Sequence, residues 1–259
     1  MFNFFKKKTV EFYTPVETIL IDEIILPYPA KKDMGKILKE VKPSSFENGN
    51  SIKNCPGIVR YLKTGFIISA WQDIVIKTNG DGSTYKWENN NCGLNTEVMD
   101  SFKGFAMGVN WQSEKTFFKH FPRENTLKSI LKFDTPWFIK LPPGYSALFV
   151  PAFYDNEERF TVIPGILETD YYGVINIQVY WHRLNSTEII KAGTPLIKII
   201  PFKNDEWDSK VRLASYEEAI DYRRVRYFSH YMFNGSMKRF QNMIDNFKKK
   251  KHFYKYFNN

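Results

Sequence analysis

The stretch Val174-Ile-Asn-Ile-Gln-Val-Tyr180 constrains the fold more than any other part of this chain. Apolar Val174, Ile175, Ile177 and Val179 are interleaved with Asn176 and Gln178, close to the two-residue period of a half-buried strand. The preceding Asp170-Tyr-Tyr-Gly173 reads as a turn, because Asp170 can hydrogen-bond nearby backbone and Gly173 can take a positive φ. The simplest expectation is a hairpin between residues 161–167 and 174–180. A second turn, Ala192-Gly-Thr-Pro195, opens the apolar run 196–200, a buried strand that Pro201 is expected to close.

The rest of the chain divides into three zones. Residues 1–45 read as an N-terminal arm with strand-like runs at 10–13 and 18–26 and a short Lys-rich helix near 34–41. Residues 46–205 read as a β-rich domain. In it Asn54-Cys-Pro-Gly57 opens a short helix that Gly65 can end. Strands are expected at 66–69, 73–78, 83–88, 137–140 and 145–150, with a turn at Asn79-Gly-Asp-Gly82 and an Asn/Gly-rich loop at 89–95. In residues 206–259 the period changes to helical. A helix over 216–231 has Glu217 and Glu218 early and Arg223, Arg224 and Arg226 late, the charge order a helix dipole favours. A second helix over 236–251 carries Phe240, Ile244 and Phe247 on one face. The expected class is mainly β, with short helical insertions and a basic helical C-terminal extension, and not a parallel sheet with crossover helices.

Three runs in this order, Pro142-Pro-Gly-Tyr-Ser-Ala-Leu-Phe-Val-Pro151, Gly165-Ile-Leu-Glu-Thr-Asp-Tyr-Tyr-Gly173 and Ile190-Lys-Ala-Gly-Thr-Pro-Leu-Ile-Lys-Ile199, resemble the trimeric dUTPase and dCTP deaminase superfamily. There a proline-glycine strand precedes a Gly-Val-Ile-Asp-x-Asp-Tyr-Arg-Gly hairpin and an Ile-x-x-Gly-x-x-Ile-x-Gln strand. The resemblance covers about residues 130–203 and implies a dUTPase-like β-clip core within 116–205. Asn54-Cys-Pro-Gly57 and Pro142-Pro-Gly-Tyr-Ser146 are also similar to stretches of an uncharacterised family of marine bacteriophage proteins.

The departures from the superfamily decide what the resemblance implies for activity. The water-activating Asp falls at Glu168, whose side chain is longer by about one carbon–carbon bond, enough to spoil a near-attack geometry. The hairpin Arg is Tyr172, and the deaminase general acid/base Glu falls at Gln178, which cannot titrate. Where a phosphate-binding Arg-Ser-Ser belongs, the chain reads Pro151-Ala-Phe-Tyr-Asp-Asn-Glu-Glu-Arg-Phe160. The glycine-rich, Phe-bearing tail that closes over dUTP is absent. What the resemblance leaves as ligand-binding positions are Tyr171, where an aromatic ring packs beneath the deoxyribose, with Gly173 and Gln178. Its catalytic alternative is a divergent nucleotidase in which Glu168 or Asp170 holds magnesium; otherwise no cofactor or metal is expected. A shared scaffold does not carry a shared reaction, since function belongs to the site.

Other chemistries find no foothold. Cys55 and Cys92 are too few and too far apart for a metal knuckle or disulfide framework. His120, His182, His230 and His252 are scattered, and His182 reads as a strand-end histidine before it reads as a ligand. No phosphate loop, dinucleotide fingerprint or nucleophile elbow occurs. Phe2-Asn-Phe-Phe5 is cut off by three lysines, so no standard secretion signal and no membrane span is expected, and the expected location is a virion or the host cytoplasm.

Charge concentrates at the C-terminal end. Of the net +9, residues 217–259 carry +6, from ten Lys/Arg against four Asp/Glu. Arg223, Arg224, Arg226, Lys248, Lys249, Lys250 and Lys251, interleaved with Tyr227, Phe228 and Phe240, mix cations with aromatic anchors as interface hot spots do. The expectation is a non-catalytic, phage-type protein that contacts copies of itself or other virion or assembly proteins. Nucleic-acid binding through the same tail is the competing class.

Overall fold

The computed structural model of the chain describes residues 8–15, 20, 25–33, 35, 55–90, 108–112, 125–152 and 157–223. The expected Phe2–Phe5 arm, most of the helix near 34–41, the loop beyond residue 90 and the helix over 236–251 lie outside these residues, as do the tail positions from Arg224 to Lys251. Two compact units divide the chain: Met1–Lys32 with Lys63–Asp205, and Asp33–Leu62 with Glu206–Asn259.

The first unit is mainly β, as expected, and all its described strand pairs are antiparallel. In chain order the strands are β1 (Glu11–Tyr13), β2 (Tyr28–Pro29), β3 (Phe66–Ser69), β4 (Asp73–Thr78), β5 (Tyr85–Asn90), β6 (Gly108–Gln112), β7 (Ile130–Lys140), β8 (Tyr145–Pro151), β9 (Phe160–Val162), β10 (Gly165–Leu167), β11 (Val174–Trp181), β12 (Thr187–Ile190) and β13 (Pro195–Lys203). They form sheets ordered β1-β7-β11-β9, with β6 also on β7, then β10-β8-β13-β3-β2, and β12-β4-β5. Buried residues of all three sheets make one hydrophobic cluster.

β11 shows why the alternation was informative: Ile175, Ile177, Val179 and Trp181 are buried, while Val174, Asn176, Gln178 and Tyr180 are half-buried on the other face. The turn before β13 is clasped from both sides. Ala70 N–H donates to Thr194 O at 2.8 Å, Gly193 N–H donates to Ala70 O at 2.8 Å, and Asp73 Oδ1 accepts the Ala192 N–H at 2.9 Å. The Asn79–Gly82 turn forms as expected, with Asp81 Oδ1 accepting the Ser83 N–H at 2.9 Å.

Several expectations are corrected. The hairpin does not continue through 161–167: Phe160–Val162 pairs with β11, whereas Gly165–Leu167 leaves for β8. The break falls at Pro164, which has no N–H to offer a ladder. Gly173 does not adopt a positive φ. It is needed for close approach, since a Cβ there would lie 3.0 Å from the Ile139 carbonyl oxygen.

β7 starts at Ile130, seven residues before the expected start at Trp137. The register of β11 against β7 shifts beside Pro136, and Thr135 Oγ1 donates to Ile175 O at 2.8 Å in the same irregularity. A bulge is where a strand tolerates proline. Pro201 likewise does not close β13, which runs to Lys203 on β8. Pairing with β3 has already ended at Ile199, so that flank needs no donor from the proline. β5 extends to Asn90, because Asn89 and Asn90 pair with Ile74 and Asp73, so the first two residues of the expected loop are strand. Of the expected strand 18–26, the described residues Leu20, Ile25 and Leu26 are outside any strand.

The helix Pro56–Lys63, all but its last residue in the second unit, begins at its proline, as the first-turn preference predicts. The helix expected over 216–231 is helical over its described part, 216–223. Its start is a reciprocal cap: Glu218 N–H donates to Ser215 Oγ at 3.2 Å and Ser215 N–H to Glu218 Oε2 at 2.8 Å. Arg212 grips the same carboxylate in bidentate fashion at 2.6 and 2.7 Å. Ser-x-x-Glu at 215–218 is the signal the charge-order reading passed over.

The Arg212 hydrogen bonds, then the Ser215 N–H, hold the Glu218 carboxyl down from 4.5 to about 2. A depressed folded pKa gives stability that is complete above the unfolded value and is lost as pH falls toward the folded one. The first turn of this helix is therefore expected to loosen between about pH 4.5 and pH 2. Amide exchange of residues 216–219 followed against pH checks this, and Glu218→Gln is expected to remove the acid-dependent step.

Candidate functional site

A cavity of about 240 Å³ opens where the chain crosses from one sheet to the other. Ile163 N–H makes the last bond to β11, donating to Gln178 O at 2.8 Å. Pro164 then releases the chain to pair with β8, and the two sheets diverge around the gap. Phe149 of β8 and Ile197 of β13 supply apolar surface, and Ile163 through Leu167 form one side. Tyr172, Val174, Asn176 and Gln178 line the other. The last three alternate along β11 on the face opposite its buried row, so strand period alone brings them together.

The polar groups of this lining are neutral: a phenol and two carboxamides. No carboxylate, imidazole, thiol, ammonium or guanidinium is among the lining residues. Asn176 Nδ2 is 3.5 Å from Tyr172 Oη, at the outer limit of a hydrogen bond, and Asn176 Oδ1 is buried without a partner. Such a wall can bind and orient a neutral polar group.

Of the positions expected to bind ligand, Gln178 lines the cavity. Tyr171 is 86% exposed and is not among its lining residues. Gly173 is not among them either; its carbonyl accepts the Ile139 N–H at 2.8 Å. Glu168 and Asp170, the acids of the catalytic alternative, are exposed on the turn and do not line the cavity. Glu168 O accepts the Tyr171 and Tyr172 N–H groups at 3.1 Å, which builds the turn. Asp170 bonds less locally than expected: its Oδ2 accepts the Gly144 N–H at 3.1 Å and ties this turn to the one between β7 and β8. Among the described residues no group of three or more His, Cys, Asp or Glu could hold a metal ion. Arg223 is exposed near the end of the described helix.

Among the described residues of the acidic interval before β9, both acids are paired with arginines. Glu157 takes the Arg159 fork at 2.6 and 2.8 Å, and Glu158 takes Arg183 at 2.9 Å. Burial pushes the Glu157 carboxyl up, but the hydrogen bonds and charge of Arg159 outweigh it and the net displacement is downward. Both ring nitrogens of His182 are engaged, at 3.2 Å from Thr126 Oγ1 and 2.7 Å from Thr161 Oγ1, which accounts for it as a structural histidine.

Sequence reasoning missed Tyr172, noted only as a lost Arg, and Asn176, noted only as a polar member of the alternation. Asn176 could have been found by following the face of Gln178 back two residues. Pro164 was the overlooked signal for the sheet crossing.

No protein-family model matches the chain, and no curated protein matches it significantly. Among solved structures it is similar to a dUTPase variant from phage phi11 of S. aureus, at 9% identity and a TM-score of 0.34 over 80% of this chain and 97% of that one. It is similar also to the dUTPase of Staphylococcus bacteriophage 80alpha, at 8% identity and a TM-score of 0.34 over 80% and 96%. At these scores and identities the likeness carries no argument about this chain. No helix among the described residues is long and apolar enough to cross a membrane.

Proposed function

We propose that this chain is a non-catalytic, phage-type protein that works through protein contacts, as a homo-oligomer or as a component of a virion or other large assembly. One observation carries the reading. Every residue from 203 to 217 is exposed, including Trp207 at 87%, Val211 at 98%, Leu213 at 94% and Tyr216 at 81%. Fully burying a side chain of this size is worth about 1.5–3 kcal/mol, and contact with another protein chain recovers that term. Single exposed apolar residues are ordinary, but a run of them marks an interaction surface.

The cavity supports the non-catalytic half of the proposal, because its polar side chains are one phenol and two carboxamides, with no carboxylate or imidazole among the lining residues. The rival is a divergent nucleotidase using Glu168 or Asp170 with magnesium near Tyr171. Against it stands the engagement of Asp170 by the Gly144 amide. The test has two arms. Purified full-length protein is expected to associate with itself or with virions, and Trp207→Asp with Leu213→Asp is expected to release it. Incubation with dUTP or dCTP and Mg²⁺ is expected to give no turnover; turnover abolished by Glu168→Gln would establish the rival. A steep loss of the association with salt would point instead to nucleic acid as the partner.

A further inference from the structure

Residues 205–213 read Asp-Glu-Trp-Asp-Ser-Lys-Val-Arg-Leu, and over 206–212 the charges are antisymmetric about Ser209: Asp208 mirrors Lys210 and Glu206 mirrors Arg212. Alternation puts Trp207, Val211 and Leu213 on one face with Ser209 and Asp205, and Glu206, Asp208, Lys210 and Arg212 on the other. This is the pattern of a half-buried strand. The segment is nevertheless unpaired: from 204 to 215 the chain has no turn, bend, helix or ladder, and each of these residues is exposed. Among the described residues no hydrogen bond or ion pair engages the side chains of Glu206, Asp208 or Lys210. Arg212 alone of the charged row is held, by Glu218.

We infer that residues 205–213 form a self-recognition strand that pairs antiparallel with the same segment of a second copy, about a twofold axis at Ser209. The inference rests on the protein-contact reading and names the partner. Antiparallel pairing centred there sets Asp208 opposite Lys210 and Glu206 opposite Arg212, each twice, and Trp207 opposite Val211, also twice. No like charges face one another. Any slip of register by one residue moves the apolar row to the charged face. A shift of two sets Asp208 opposite Asp208 or Lys210 opposite Lys210 across the axis, so charge selects this register. Cross-strand pairs lie about 4.5–5.5 Å apart at Cβ, close enough for these ion pairs and for the indole to cover the valine. The interface is isologous, so it closes at two copies through this element. A bare two-stranded ribbon is marginal in water, and the row formed by Trp207, Val211 and Leu213 of both copies is what sustains it.

Sedimentation of the full-length chain over a concentration series tests the pairing. Asp208→Lys places a lysine opposite each Lys210 and is expected to weaken the dimer on the order of tenfold. Asp208→Lys combined with Lys210→Asp restores opposite charges in the same register and is expected to restore the dimer. Ser209→Cys is expected to give a disulfide-linked dimer under mild oxidation, whereas Glu206→Cys, which faces Arg212, is not. These side chains are exposed, so the variants are expected to fold, and circular dichroism confirms it. Self-association indifferent to Asp208→Lys would overturn the inference and leave the protein-contact reading standing, as would a weakening that the double variant does not repair. A chain monomeric at every concentration that still joins virions would do the same. A monomer that joins nothing would overturn both.

Discussion

Trp181→Ala is expected to lower the stability of the folded chain by about 3–5 kcal/mol. Trp181 is completely buried at the end of β11. Its ring stacks on Phe160 with centroids 6.3 Å apart and planes 9° from parallel, and Phe160 in turn meets Phe133 edge-on at 5.9 Å. The indole N–H donates to Arg183 O at 2.9 Å, and the Trp181 carbonyl accepts the Leu127 N–H at 2.9 Å. Alanine would leave a large void between closely packed strands and remove the hydrogen bond at once. Chemical denaturation read at the far-ultraviolet measures the loss as a shift in midpoint at unchanged slope. Trp207→Ala is the control: the side chain is 87% exposed, so the stability of the isolated chain is expected to change by less than about 0.5 kcal/mol. Equal costs at the two tryptophans would contradict the burial pattern on which both the core and the contact surface are argued.

Gly65→Ala is expected to cost about 3 kcal/mol, from a left-handed backbone and overpacking together. Gly65 has φ +83°, and a Cβ there would lie 2.3 Å from the Ile199 carbonyl oxygen. That oxygen belongs to a central strand and cannot swing aside as a side-chain tip could. The Gly65 carbonyl also accepts the Ala30 N–H at 3.0 Å, so a shift of this residue disturbs the approach to β2 as well. Gly165→Ala supplies the contrast. A Cβ at Gly165 meets nothing within 4 Å, so its effect on stability is expected to stay within about 0.5 kcal/mol although it sits on the rim of the cavity. Thermal or denaturant unfolding of the two variants side by side checks the pair.

How far the fold could be read in advance depended on the range of the interaction that decides each element. β3 and β4 were found at their observed bounds, and β11 to within one residue, because alternation and flanking turns are local properties of the chain. The break expected at Pro201 was also a local reading, and it failed. A proline ends a strand only if the missing N–H was needed. At Pro136 a bulge with the Thr135 hydroxyl relieves that need, and at Pro201 the absence of a β3 partner does. Pro164 shows the converse, since it does break a ladder that looked continuous.

The site divides along the same line. Alternation in the sequence alone determined that Asn176 and Gln178 share a face of one strand, and residue type that Gln178 cannot replace a titrating acid. The tertiary structure decided that the strand face looks onto a cavity, because the crossing at Ile163–Pro164 carries one half of the expected hairpin to another sheet. It also decided that Glu168 and Asp170 stay in solvent on a turn held by Gly144, and that among the described residues no strand pairs with the segment after β13. Side-chain period is set by the chain's own covalent geometry. Which face meets a core, a cavity or water is set by strands distant in sequence, and those partners exist only once the sheets have formed.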